Sequence, residues 1–168
     1  MKHRFYRYYI LIALIVCIPI VYLGFCGIPH LDWRLTVTIL GGIFSSIYFV
    51  QKQRLEEVQL FKELFKEFNR RYDKLNEALN QIRKGDDKQE LTSDQINTLN
   101  DYFNLCGEEY LYYKEGYIYP KVWKAWSNGM NIFFQNNRIR GIWKRECRTD
   151  SYYGFNPVEK DLVSGLES

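Results

Sequence analysis

The sequence predicts an all-α fold: an N-terminal transmembrane helical hairpin, then a long helix, then a cytoplasmic helical bundle. Three observations carry this prediction. Two uncharged apolar runs lie close together near the N-terminus. Apolar residues then recur every three or four positions from Val58 to Ile82, the period of one helix face. No stretch of the 168 residues alternates apolar and polar side chains as a half-buried strand does, and no internal repeat is present. The organisation expected is a membrane region over residues 1–51 and a helical bundle over residues 52–168.

The first span is expected over residues 8–25, "YYILIALIVCIPIVYLGF". It is long enough to cross a hydrocarbon core and carries no charge. Lys2, Arg4 and Arg7 precede it, as they would in a secretory signal peptide. The sequence "LGFCGIP" offers no small-x-small cleavage site, and bulky Phe25 stands where a lipoprotein signal needs a small residue before its cysteine. A retained span is the reading adopted. A short polar link follows, with Pro29, Asp32 and Arg34.

The second span is expected over residues 35–50. Tyr8, Tyr9, Trp33 and Tyr48 stand at interface positions, and Lys52 and Arg54 follow directly. Basic residues thus flank the outer ends of both spans, which places both termini in the cytoplasm and the link in the periplasm. This span is unusual in its small polar content. Arg34, Thr38, Gly42 and Ser46 recur every four residues, with Gly41 and Ser45 beside them. Small residues on one helix face let two backbones approach closely in lipid. Two partners satisfy that pattern: the first span of the same chain, or copies of the same helix around an axis. In a ring, Arg34 would stand at the mouth of a lumen lined by Thr and Ser hydroxyls.

Beyond the membrane, Val58, Phe61, Phe65, Phe68, Tyr72, Leu75, Leu79 and Ile82 form a heptad seam opposite a charged face. Only the glycine pair interrupts helix-favouring sequence from Leu35 to Lys84, so span and seam are expected to form one helix about 70 Å long. The seam serves either an intramolecular bundle or a coiled coil between copies. "RKGDDKQE" then reads as an exposed turn at Gly85. Thr92 and Gln95 make a capping box that starts the next helix, and Gly116 ends it. Ile96, Leu99, Phe103, Cys106, Tyr110 and Tyr113 are its expected inner face. Pro120 opens another helix that buries Trp123, Trp126, Met130 and Phe133. "NNRIRGIWKRECR" is expected to be helical, and Asn156, Pro157 and Glu159 to start a short last helix.

Charge and composition narrow the functions available. The formal net charge of +3 does not by itself argue for nucleic acid. Aromatic residues make up 17% of the chain, which suits crowded helix packing and interface belts. Cys17, Cys26, Cys106 and Cys147 include no C-x-x-C pair, so no zinc or redox motif is expected. The two histidines, His3 and His30, precede the bundle. A bundle without histidine lacks the usual neutral-pH acid–base group. Glu108 and Glu109 are adjacent, and neighbours on a helix point apart. No Glu-x-x-His pair, phosphate-binding loop or nucleophile elbow occurs, so no enzyme activity, metal or other cofactor is expected. The best contact surface is the basic run Arg138, Arg140, Lys144, Arg145 and Arg148 around Trp143, suited to RNA phosphates, an acidic protein face or anionic headgroups.

The blocks "LNDYFNLCGEEYLYYKEGYIYPKVWKAW" and "NGMNIFFQNNRIRGIWKRECRTDSYYGF", with the N-terminal spans, resemble the small membrane proteins found beside bacterial antiviral systems. Their Glu–aromatic–Gly–Trp pattern is matched by Glu108, Tyr112, Gly116, Trp123 and Trp126. The nearest family in that group is the membrane accessory proteins of type VI-B CRISPR systems. The resemblance covers most of the chain and implies a divergent HEPN-like bundle and a homo-oligomeric pore that enhances antiphage defence by depolarising the inner membrane when triggered. Its implied partners are copies of itself, the lipid bilayer, and an RNA-guided RNase effector or its RNA. The alternative function is a membrane anchor or scaffold that recruits such an effector through the helical domain. Active HEPN nucleases use an Arg-x(4–6)-His motif. With no histidine after His30, that activity does not carry over.

Overall fold

A computed structural model describes residues 15, 16, 18, 19, 22, 33–86, 89–149 and 151–157. Of the first expected span, residues 15, 16, 18, 19 and 22 are described, and all are helical. The rest of that span, the link before residue 33 and the short helix expected from Glu159 onward lie outside the described residues. Asn156 and Pro157, expected to start that helix, are not helical. The described residues contain helices and turns and no strand. The chain divides into two compact units, Met1–Val58 and Gln59–Ser168.

The first long helix, α1, runs Trp33–Lys84. Within Gln59–Ser168, its seam side chains meet their own bundle. Phe61 packs on Tyr119 with ring centroids 4.3 Å apart, Phe65 stacks on Trp126 at 5.7 Å, and Phe68 meets Trp126 edge-on at 5.8 Å. Phe68, Leu79 and Ile82 are buried, while Tyr72 and Leu75 pack against the core part-exposed. Val58 and Leu55 are exposed.

Helix α2, Ser93–Lys114, begins as the capping box requires. The Gln95 amide donates to Thr92 Oγ1 at 3.3 Å, and the Thr92 amide donates to Gln95 Oε1 at 3.1 Å, which satisfies two otherwise orphaned donors. The helix ends in a Schellman motif. Gly116 is left-handed at φ 80°, its amide donates to the Tyr113 carbonyl, and the Tyr117 amide donates to the Tyr112 carbonyl at 2.9 Å. Helix α3, Pro120–Phe134, has Pro120 in its first turn, where the missing amide costs no hydrogen bond.

Helix α4, Asn137–Glu146, is tied to the end of α1 by its N-cap. Asn136 Oδ1 accepts from the Arg138 and Ile139 amides, while its Nδ2 donates to the Arg83 carbonyl at 3.2 Å. Arg138 adds a bond from its guanidinium to the Ile82 carbonyl at 3.2 Å. The last carbonyls of α1, which have no partner within their own helix, are satisfied by a side-chain amide and a cation.

A 3-10 turn at Cys147–Thr149 leads to "YYGF". Tyr153 and Gly154 both have positive φ, 55° and 75°, and the Phe155 amide donates to the Tyr152 carbonyl at 2.8 Å. Two positive-φ residues at the centre of a tight turn give the type I′ form. The turn sends Tyr152 and Phe155 inward, where both are buried, and leaves Tyr153 57% exposed. Gly107 lets this segment lie close on α2: a Cβ there would meet the Tyr152 backbone at 3.4 Å.

Tyr153 therefore holds a left-handed conformation with no burial in return. Replacing it with Asn, which tolerates that conformation, is expected to raise stability by about 0.5–1 kcal/mol. Gly154→Ala should lower stability by about 1 kcal/mol or more. Thermal or urea unfolding followed by circular dichroism checks both, and equal melting points for the two variants would contradict the turn assignment.

Candidate functional site

One helix among the described residues is long and apolar enough to cross a membrane, the stretch beginning at Arg34. Its faces differ. Thr36, Leu40, Ile43, Ile47 and Val50 are part-covered and follow one another at spacings of four, three, four and three. Thr38, Gly41 and Ser45 lie on the opposite side, Gly42 and Ser46 lead round from it toward the line, and all five are exposed, as is Arg34. A Cβ added at Gly41 or Gly42 would meet nothing within 4 Å. The Thr38 hydroxyl donates to the Arg34 carbonyl and the Ser46 hydroxyl to the Gly42 carbonyl, both at 2.9 Å. These protons are spent one turn back on the same helix, so these two hydroxyls offer oxygen acceptors rather than donors.

The basic run separates into two groups. Ile139, Ile142 and Trp143 fix the buried side of α4. Arg138 is thereby turned toward the end of α1, and Arg140 is bonded to Asn137 within its own first turn. Lys144, Arg145 and Arg148 remain exposed. Arg138 and Arg145 line an open groove of about 490 Å³ whose other walls include Glu90, Leu91, Ile96 and Ile142. The five residues thus divide between holding the fold and facing solvent.

A second cavity, of about 170 Å³, lies among α1, α2 and α3. Tyr72, Tyr102, Trp126, Leu105 and Met130 form most of its wall, with Asn69 and Glu109 supplying polar groups. The two adjacent glutamates of α2 have opposite fates. Glu108 forms a forked pair with Arg71, its Oε1 accepting at 3.0 Å, and both side chains are about one-third exposed. Glu109 is only 6% exposed, and the Arg71 fork beside it is bonded to Glu108. Burial pushes its carboxyl up to about 8; the Arg71 charge pulls it down, and Glu108 adds to the rise. The neighbouring Cys106 thiol and Tyr102 hydroxyl are also pushed well above their ordinary ranges, chiefly by burial.

Sequence patterning did not single out this group. The inner face expected for α2 ran through Cys106 and Tyr110 without Glu109, which was noted only as the neighbour of Glu108, pointing apart from it. The available signal was position: Glu109 follows Cys106 by three and Tyr102 by seven, which puts it on a buried stripe. No protein-family model matches the chain, and no curated protein or solved structure does either.

The raised carboxyl makes stability depend on pH in a defined direction. Folded Glu109 holds its proton up to about 8, whereas the unfolded side chain releases it near 4.5. Between those values the folded state binds more protons, so stability falls as pH rises. Glu109→Gln, which keeps the shape and removes the charge, should melt above the wild type at about pH 8.5 by a few kcal/mol at most, roughly 1.4 for each unit of displacement. The difference should vanish below about pH 4. Melting curves across this range check it, and a constant difference at every pH would count against a buried carboxyl.

Proposed function

We propose that the protein is a homo-oligomeric pore of the bacterial inner membrane, assembled through the small-residue face of α1. The observation that carries this reading is the exposure of that face. Gly41 and Ser45 stand opposite the part-covered line from Thr36 to Val50, Gly42 and Ser46 lie beside them, and there is open space where a glycine Cβ would be. In lipid, apolar surface gives no net drive for helices to meet, and close backbone approach through small residues supplies the packing instead. The acceptor oxygens of Thr38 and Ser46 suit a polar lumen, and Arg34 would stand at its mouth.

In this reading residues 8–25 form the other limb of a hairpin, both termini are cytoplasmic, and Gln59–Ser168 is a divergent HEPN-like bundle without catalysis. The resemblance to accessory proteins of type VI-B CRISPR systems supplies the context. Triggered opening would depolarise the membrane and strengthen antiphage defence. A second reading, a membrane anchor that recruits an RNA-guided effector or its RNA, is favoured by the exposed Lys144, Arg145 and Arg148.

Two measurements test the assembly and its consequence. The detergent-extracted particle should have several times the monomer mass, and Gly42→Leu should reduce it toward a monomer while the bundle stays helical. Liposomes containing the wild-type protein in its open form should leak an encapsulated dye, and those with Gly42→Leu should not. A monomeric wild-type particle would remove the pore, and tight liposomes with intact effector recruitment would leave the anchor.

A further inference from the structure

The cavity beside Glu109 is walled chiefly by rings and polarised by acceptors. Glu109 is only 6% exposed, it forms part of the wall, and burial is the main influence on its carboxyl. Asn69 spends one of its two amide hydrogens on the Phe65 carbonyl at 2.7 Å, and its Oδ1 is an acceptor on the cavity wall. The Tyr72 hydroxyl donates to Asn76 at 3.2 Å and is likewise committed. Arg71, the nearest cation, is held in the fork with Glu108. The site therefore has acceptors and π faces and lacks a matching cation. Rings of Tyr and Trp attract a cation placed over their faces, most strongly when it is desolvated. A volume of about 170 Å³ is close to that of cavities that hold one small molecule of benzene size.

We propose that this cavity is a binding site for a primary alkylammonium group, with Glu109 as its counter-charge, Asn69 as a second acceptor, and Tyr72, Tyr102 and Trp126 as the surrounding rings. The site does not depend on the pore reading. Binding exchanges one cation for one proton: the neutral carboxyl releases its proton to solvent as the ammonium group enters. The same chemistry comes from a free amine or from the end of a lysine side chain.

The groups that bear on this exchange are few. Arg71 and Tyr72 belong to α1, and Tyr102, Cys106 and Glu108 to α2. The α3 wall residues, Ala125, Trp126, Gly129 and Met130, carry no titrating side chain. Arg71 keeps its charge over the working range, while burial holds Tyr72, Tyr102 and Cys106 neutral there. Glu109 therefore dominates the pH response. Affinity should weaken by about tenfold for each pH unit below about 8.

The test is calorimetric titration of the full chain in detergent with butylammonium at about pH 8.5, in two buffers of different ionisation heat. The expected result is saturable binding at millimolar ligand or below, with nearly one proton released when the titration is run near neutral pH. Glu109→Gln should weaken binding at least tenfold. Gly129→Leu is the second variant. Gly129 lines the cavity and a Cβ there meets nothing within 4 Å, so leucine should occupy the space while leaving the Glu109 side chain in place, and abolish binding.

Nα-acetyl-lysine methylamide distinguishes the sources. Binding comparable to butylammonium assigns a lysine side chain, and binding at least tenfold weaker assigns a free amine; both support the site. Absence of saturable heat with a folded wild type, equal affinity in Glu109→Gln, or equal binding of neutral butanol would overturn it.

Discussion

Trp143 meets Phe103 at 5.1 Å, Phe134 at 5.5 Å, Tyr152 at 4.8 Å and Phe155 at 5.7 Å. One side chain of α4 thereby joins α2, α3 and the segment that follows the 3-10 turn. The Phe103 and Phe134 contacts are edge-to-face at 76°, the arrangement the ring quadrupole favours. Each such pair is worth about 0.5–1.5 kcal/mol beyond the area it buries. A second group repeats the device, with Trp123 stacked on Tyr113 at 5.0 Å and meeting Phe155 edge-on. Because α2 is covered by α1, α3, α4 and the Tyr152–Phe155 turn, little of its middle faces water. The burial of Glu109 follows from that enclosure.

Much of the bundle was legible because its signals are local. The three-four spacing from Phe61 to Ile82 located the packed face of α1. Thr92 with Gln95, Gly116 and Pro120 set helix ends through hydrogen bonds that need only a few neighbouring residues. The features that escaped depend on tertiary enclosure. Tyr102, Leu105 and Glu109 are buried because a helix surrounded by several partners has a wider buried arc than a single amphipathic stripe implies. "YYGF" carried no Asn-Gly or Asp-Gly signal, so its left-handed turn was invisible; the burial of Tyr152 and Phe155 holds it in place. The basic run read as one surface because charge is counted along the chain. Arg138 and Arg145, seven residues apart, share one side of α4 and one groove, so position along the helix separates them: Arg138, in the first turn, reaches the Ile82 carbonyl, while Arg145 near the other end is exposed.

The stretch of α1 that is long and apolar enough to cross a membrane would obey different physics in lipid. In water the exposed Val37, Phe44, Tyr48 and Phe49 would be a liability, whereas lipid solvates them without penalty. Polar groups carry the constraint there, since an unsatisfied donor in hydrocarbon is costly. Thr38 and Ser46 meet it by bonding to carbonyls of their own helix. Thr36 Oγ1, on the part-covered side, has no partner among the described residues. The Thr38 and Ser46 hydroxyls can lie against another backbone without first breaking hydrogen bonds.

The buried carboxyl gives the bundle something its composition withholds. Histidine titrates near neutrality without help, and both histidines of the chain precede α1. Glu109 reaches a similar range by enclosure, because an apolar wall penalises its charged form. Arg71 is close enough to oppose that shift, but its fork is occupied by Glu108 and its attraction acts only through space. Were Arg71 bonded to Glu109 instead, the carboxyl would be charged and the cavity electrically complete. The arrangement found leaves the buried group neutral in the acid range and sensitive to any cation small enough to enter. The order Glu108–Glu109 on α2 creates that difference, since adjacent helical residues turn apart by about a quarter of a circle, one toward its ion pair and one toward the rings.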